Sequence, residues 1–407
     1  VVRDADVVIV GAGAAGLSLA HWLSAGPAHR RPTVLLVEAP YGPLRPPERT
    51  WCFWQAPGGP YDTALTASWE RLRVRSPDGT EMVGRPAPLR YNMLRSGDFE
   101  RLVGDRLAGM EGFRTIRAEV TAVRDAPGGA EVHGRDAAGH PVGLRARWVF
   151  DSRPPRRLPP ARTCLLQHFR GWFVRTERPA FLPGTADLMD FRTPQPPHGL
   201  SFGYVLPLSA HEALVEYTEF TREVLDDVGY ERALRHYTAD VLGLGALDVT
   251  ATEQGVIPMT DARFPRRAGR SVFRIGTAGG ATRPATGYTF SGVQRQTRAV
   301  AARLLAGRVP LPPCPHRTRS RAMDAVLLRA LDSGRVDGAD FFTGLFREVP
   351  MERLLRFLDG RSRLGEDLRI GLHTPVGPML RTVAELPRLP RRDPQPGPPA
   401  DTRPAPP

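Results

Sequence analysis

Asp6 to Val10 read DVVIV, and Gly11-Ala12-Gly13-Ala14-Ala15-Gly16 follows directly, ahead of the apolar stretch Leu17 to Leu23. No other feature of the chain restricts its fold as much. A short β-branched run of this kind suits a parallel strand buried on both faces. In a strand, turn and helix of this spacing, the first glycine turns tightly, the second lets backbone reach a pyrophosphate, and the third lets helix pack on strand. Gly11, Gly13 and Gly16, with Ala14 and Ala15 opening the helix, are therefore candidate cofactor-binding positions. A second strand, Thr33 to Val37, ends at Glu38, 22 residues past Gly16, where a carboxylate can accept both hydroxyls of a ribose. The order of strand, glycines, helix, strand and acid predicts a dinucleotide-binding Rossmann-type unit. A glycine-rich turn without a ligand is the alternative.

This unit opens a chain of 407 residues, most of which follow it, and that favours an FAD-binding fold over a small NAD dehydrogenase. Val272 to Ile275 gives another short strand, followed by Gly276-Thr277-Ala278-Gly279-Gly280, then Gly287 and a helix from about Ser291 to Leu305. In flavoproteins of the glutathione-reductase-like class, such a late strand, turn and helix bring backbone amides to the flavin, so Gly276 and Gly287 are candidates. The Asp usual after the first glycine is Thr277 here, which weakens a hydroxylase reading. Trp148 to Arg153 reads as a strand end crossing back beside the flavin, with Asp151 at its tip. Arg90 to Phe99 resembles the place where an arginine contacts the cofactor, and Arg95 is the candidate. A surface salt bridge or a helix cap suits Asp151 and Arg95 equally well.

The middle of the chain alternates. Gly171 to Glu177, Ala186 to Phe191, Ser201 to Leu206 and Glu212 to Phe220 predict an antiparallel sheet forming a substrate domain. The expected organisation is α/β: an FAD-binding Rossmann-type domain from 1–160 and 253–310, a β-rich substrate region 161–252, C-terminal helices 311–385, and a disordered Pro-rich tail 386–407. In the run from Glu212, Leu214, Glu216, Thr218 and Phe220 share one face, while Ala213, Val215, Tyr217 and Glu219 share the other. Leu and Phe are unusual company for a solvated carboxylate. Burial there would raise the Glu216 pKa and suit it to general-acid work, whereas an edge-strand position would leave it facing water.

Fifty-six basic residues, all of them arginine, outweigh 43 acidic ones to give a net charge of +13. Codon composition alone accounts for such a bias; the functional alternative is attraction to an anionic surface. No nucleic-acid-binding motif accompanies the charge, so a membrane surface is the better partner and no nucleic acid is expected. Cys52, Cys164 and Cys314 are too few and too scattered for a metal site or a disulfide framework, which fits a reducing cytoplasm. No segment approaches the ~18 consecutive apolar residues of a spanning helix, and the chain opens on a strand rather than a secretory signal. The expectation is a cytoplasmic, peripherally membrane-associated protein, with basic amphipathic helices around Phe341 to Leu358 against lipid or, alternatively, packed in the core.

Ordered segments along the chain carry a family resemblance: Arg49-Thr50-Trp51-Cys52-Phe53-Trp54, Leu188-Met189-Asp190-Phe191-Arg192, Tyr204 to Ser209, Ala213 to Thr218, Val256-Ile257-Pro258-Met259, Pro284 to Tyr288, and Phe341 to Pro375. The chain resembles the flavin-dependent lycopene cyclases over about residues 4 to 380. Each motif alone is loose; the ordered set is specific. The resemblance implies a cyclase that protonates an acyclic carotenoid end group, closes a six-membered ring on the carbocation and releases a ring proton, with no net redox change. It implies reduced FAD, NAD(P)H as an upstream reductant, lycopene as substrate and β rings as product. The position matching the family's essential acid is Glu216. Asp190 is a second catalytic candidate, as a proton partner or, equally, a turn cap. Trp51, Phe53 and Trp54 would line the polyene pocket or stabilise the cation by their ring faces. An FAD monooxygenase acting with NAD(P)H on an aromatic or polyketide substrate is the alternative enzyme, and a flavin-binding carrier or sensor the non-enzymatic one.

Overall fold

The computed structural model describes residues 3–394. Ala5–Val10 pairs in parallel with Val34–Glu38 on one side and with Pro141–Asp151 on the other. Phe113–Arg117 extends this sheet in parallel beyond Val34–Glu38, and Val272–Arg274 pairs in parallel with the end of Pro141–Asp151. The antiparallel strands Gly129–Arg135 and Glu119–Ala126 complete its seven. Helices Ala14–Ser24 and Phe290–Leu305 pack on it, closing a core that includes Ile9, Leu19, Phe150, Phe273 and Val300. The apolar runs read from the sequence are buried as the parallel pairing requires, since both faces are covered.

A second seven-stranded sheet runs in the order Leu247–Thr260, Cys164–Thr176, Glu212–Thr221, Leu200–Pro207, Thr185–Asp190, Arg71–Arg75, Glu81–Gly84. It contains each of the four runs expected in the middle of the chain. Two boundaries differ from expectation. Residues 71–84 join this sheet by parallel pairing of Arg71–Arg75 with Thr185–Asp190, so the substrate region also draws on the N-terminal third. The expected break at 252/253 falls inside the 14-residue strand Leu247–Thr260, whose polar first half lacks an apolar stripe because much of it faces outward or toward a cavity. A three-stranded sheet of Thr50–Gln55, Arg90–Arg95 and Ala67–Trp69 lies beside these layers.

The two faces of the substrate sheet are covered differently. Ala213, Val215 and Tyr217 pack with Tyr230 and Leu234 of the helix Asp227–His236 and with Tyr237 beyond it. Leu214 and Phe220 belong to the core shared with the C-terminal helices Thr318–Asp332, Gly338–Glu348 and Met351–Leu358. Of the two readings of Phe341 to Leu358, lipid contact and core packing, the structure shows core packing. Phe341, Phe342, Leu345, Phe346, Leu354 and Leu355 are all buried, because the apolar side of these helices is what covers the sheet. The expected tail is also ordered at its start. Leu386–Arg388 forms a 3-10 turn, Arg392 and Ala161 exchange backbone hydrogen bonds of 2.8 and 2.9 Å, and Arg391 donates to the Asp261 carbonyl at 3.0 Å. Residues 395–407 of that tail lie outside the described residues. Among the described residues no helix is long and apolar enough to cross a membrane.

Candidate active site

The glycine loop has the geometry its spacing requires. Gly11 takes φ +97°, where a side chain is strained, and a Cβ on Gly16 would stand 1.8 Å from the Gly11 carbonyl oxygen. That contact seats the helix on the strand. Gly13 is the N-cap of Ala14–Ser24, with nothing within 4 Å of an added Cβ and no side chain capping the helix. The first intrahelical bond runs from Leu17 N to Gly13 O at 3.0 Å, so the amides of Ala14, Ala15 and Gly16 have no helical acceptor. Free amides and open space at a helix N-terminus fit a pyrophosphate. Glu38 ends its strand as expected, and Arg117 at 2.8 Å and Arg45 at 3.8 Å hold its carboxylate. The late turn approaches the same helix: Gly276, at φ +67°, would place a Cβ 2.9 Å from that of Ala15.

From this turn the chain runs into a cavity of about 3010 Å³ between the nucleotide unit and the substrate sheet. It is several times the ~300–1,000 Å³ of ordinary small-molecule pockets and has room for an extended ligand beside a cofactor. Thr277, Thr286, Gly287, Tyr288 and Phe290 line one wall, and Leu206, Leu214 and Glu216 another. Gly287 is at φ +69° and an added Cβ would lie 1.8 Å from Gln167 Oε1, so the loop touches the sheet only because a glycine stands there.

Glu216 is buried in that wall, where its Oε1 accepts a hydrogen bond from Thr218 Oγ1 at 2.8 Å. Burial, then the charge of Glu253, push its pKa from 4.5 up to about 8 against the opposing pull of Thr218. Cys52, Tyr91, Tyr204 and Tyr288 line the cavity with it. Burial raises all four, Tyr288 to about 12, so they stay neutral alongside it. The arrangement is a carboxyl raised to about 8, surrounded by phenols and a thiol, on the wall of the cavity.

The profile of the family described as "Lycopene cyclase protein" matches residues 6–384. The chain belongs to the lycopene cyclase family. No curated protein matches it. Among solved structures, p-nitrophenol 4-monooxygenase from Pseudomonas putida DLL-E4 aligns with TM-score 0.62 and 17% identity, covering 95% of this chain and 98% of that one. A flavoprotein/dehydrogenase from Cytophaga hutchinsonii aligns with TM-score 0.62 and 12% identity over 93% and 98% of the two chains. The flavin-dependent brominase Bmp2 gives TM-score 0.55 and 14% identity over 88% and 93%. At these identities the likeness establishes the fold alone, that of an FAD-binding Rossmann-type domain joined to an antiparallel sheet and C-terminal helices.

The cyclase-family chain does not bring all its sequence candidates to this cavity. Asp190 is fully buried on the opposite face of the substrate sheet. Its strand register, Asp190 beside Gly203 beside Tyr217, aligns it with Tyr217 rather than with Glu216. There it accepts from Tyr237 Oη at 3.0 Å and pairs with Arg192 at 2.6 Å and Arg75 at 3.5 Å, an internal ion cluster away from the cavity. Trp51, Phe53 and Trp54 do not form one group, because strand alternation divides them. Trp51 and Phe53 stack on Phe290 at 5.6 and 4.7 Å, while Trp54 packs edge-on against Tyr288 at 4.6 Å. Of the three, Trp51 lines the cavity and the other two stand one layer behind. Asp151 pairs with Arg153 at 2.8 Å, and Arg95 pairs with Glu48 while its guanidinium sits 4.9 Å over Phe173. Each makes the salt bridge of its alternative reading, and neither lines the cavity. Glu219 points to the other face and accepts from Tyr217 Oη at 2.7 Å.

Sequence reasoning missed Glu253 and the three tyrosines. Glu253 lies three residues before the Val256-Ile257-Pro258-Met259 segment, on a strand whose polar first half gave no apolar signal. Its neighbours on the strand, Val249 and Ala251, are themselves exposed, and alternation gave no signal for it. Tyr91, Tyr204 and Tyr288 come from separate elements and converge only in three dimensions.

Proposed function

We propose that this chain is a lycopene β-cyclase, which turns the acyclic ends of lycopene into β rings without net oxidation or reduction. The observation that carries this reading is Glu216: a buried carboxyl, its pKa raised to about 8, lining a large cavity in a lycopene-cyclase-family chain. Glu216 gives its proton to the terminal alkene, the neighbouring double bond closes on the carbocation, and a ring proton is lost. Trp51 and the tyrosines line the cavity, and a ring face turned to the developing cation would attract it by about 0.5–2 kcal/mol. Glu216 itself is buried, and a charge beside it counts for more than in solution.

The residues that would hold FAD are Gly11–Gly16 for the pyrophosphate, Glu38 for the ribose, and Thr277 and Gly287 on the cavity side. When bound and reduced, with NAD(P)H as reductant, it supplies an electron-rich ring that stabilises positive charge. The deciding assay is anaerobic incubation of the protein, dithionite-reduced FAD and lycopene in liposomes, with chromatography of the carotenoids. The expected result is γ- or β-carotene that is absent with oxidised FAD. Unchanged lycopene together with NAD(P)H-driven oxygen uptake would replace this reading with a monooxygenase.

Substrate delivery points to a lipid surface, and the exposed apolar side chains lie further along the chain than Phe341 to Leu358. Leu364, Leu368 and Leu372, at 60, 65 and 76% exposure, form one stripe of the helix Leu364–Leu372. Val376, Leu380 and Val383 repeat the pattern on Val376–Glu385. Exposed Arg361, Arg363, Arg369, Arg381 and Arg388 flank these stripes. The segment's acids are held by other arginines: Glu366 by Arg356, Asp367 by Arg319, and Glu385 by Arg329 and Arg335. A positive rim around an apolar stripe suits an anionic bilayer. Leu364→Ser/Leu368→Ser/Leu372→Ser should cut flotation with anionic vesicles by about tenfold or more, while turnover of detergent-dispersed substrate persists. Unchanged flotation would remove these helices as the docking face.

A further inference from the structure

Gly171 lies on the strand between Glu216 and Glu253, in register with both. A Cβ there would meet Leu214 Cδ1 at 2.8 Å, Glu253 Cγ at 3.4 Å and Glu216 Cβ at 3.5 Å, so all three side chains close over this glycine, and both glutamates line the cavity beyond it. Their surroundings are unequal. Burial raises the Glu253 carboxyl above its ordinary range, but Glu253 Oε2 accepts from Thr50 Oγ1 at 2.7 Å and the cations of Arg95 and Arg49 pull it back, with Glu48 opposing them. Around Glu216 stand Cys52, Tyr91, Tyr204 and Tyr288, with Tyr230 behind the sheet, and no arginine. The Glu253 charge makes Glu216 harder to ionise, and of the two carboxyls the one beside the cations ionises first.

We propose that Glu216 and Glu253 act as one acid pair across Gly171, Glu216 holding the proton and Glu253 the negative charge, with Glu253 the positioning residue that keeps the acid loaded. This rests on the reading of Glu216 as the cyclising acid. The proton that Glu216 gives to the alkene leaves two carboxylates beside the carbocation. The proton released from the closed ring returns to the pair. One proton leaves and one comes back, no electrons move, and the pair ends as it began.

The test is the pH dependence of turnover in Glu253→Gln together with infrared titration of the carboxyl C=O stretch. Without the neighbouring charge, Glu216 should ionise at lower pH, moving the alkaline limb of the turnover profile down by about one unit or more. Activity lost at pH 8 should return toward pH 6. Glu253→Asp, which keeps the charge but sets it back, should move the limb less. In the wild type, infrared titration should find one carboxyl, absent in Glu216→Gln, that loses its proton near pH 8 and does so earlier in Glu253→Gln. A limb and a carboxyl titration that both stay in place would overturn the pairing, as would a Glu253→Gln profile lowered equally at every pH. The infrared arm needs no substrate, so a chain that cyclises no carotenoid would fail the cyclase reading while the pair is still judged on its own titration.

Discussion

Glu216→Gln should lower cyclisation by at least about 10³-fold, within the range for removal of a positioned general acid, and should leave flavin binding intact. The amide is isosteric, can still bond to Thr218, and lies well away from the glycine loop, so nothing in the nucleotide unit has reason to change. The same substitution should stabilise the protein at alkaline pH, which separates a lost proton from a damaged fold. The folded-state pKa of Glu216 is raised, from 4.5 to about 8. Between those values the unfolded chain is ionised while the folded chain keeps its proton, so folding takes up a proton and wild-type stability falls as pH rises through the window. Below it the carboxyl is neutral in both states and contributes no pH dependence. Glutamine has no proton to lose, so the variant's advantage should grow across the window and level off above pH 8, reaching on the order of 5 kcal/mol. Denaturant unfolding at pH 5 and pH 8.5 measures it. Full turnover in the variant would sink the assignment; a stability difference independent of pH would mean that Glu216 is not held protonated.

The acid was legible because its face could be counted. Alternation from Glu212 to Phe220 placed Glu216 with Leu214 and Phe220, and the structure buries all three on one side. The glycine loop was legible for a similar reason, since each glycine answers a local need that spacing alone expresses. Asp190 shows where such reading stops. Which face a strand turns toward a cavity depends on its register with the next strand, and the irregular pairing between Asp187 and Asp190 is a tertiary feature. Trp51, Phe53 and Trp54 were adjacent in sequence and so read as one cluster, though the period of a strand divides them. Glu253 and the tyrosines were missed because their meaning comes from what stands opposite. A polar strand reads as solvent-exposed until the sheet shows that one of its faces closes a cavity. The C-terminal helices gave the opposite difficulty: amphipathic helices at the surface of a core and at the surface of a membrane have the same pattern, and only burial separates Leu354 from Leu368.

The cavity loop should depend on one buried ion pair. Arg283 and Asp324 are 2 and 4% exposed, and the guanidinium Nε lies 3.0 and 2.9 Å from the two carboxylate oxygens. Arg283 N bonds to the Tyr288 carbonyl at 2.9 Å and Gly287 N returns to the Arg283 carbonyl at 3.0 Å, so the pair fastens the turn carrying both cavity residues to the helix Thr318–Asp332. Arg283→Met should cost about 3–5 kcal/mol, because it strands a buried carboxylate. Burial already raises Asp324 to about 6 against the pull of Arg283, and losing that cation should raise it further. A raised carboxyl loses stability as pH climbs toward its folded value, so the variant should suffer more at pH 8 than at pH 5. Arg283→Met/Asp324→Leu should recover most of the loss, since replacing both charges by apolar groups leaves neither one stranded. Chemical unfolding of the single and double variants at both pH values reads these differences. Equal losses in the two would show that Arg283 acts through packing rather than charge, and a loss that does not change with pH would show that Asp324 does not carry it.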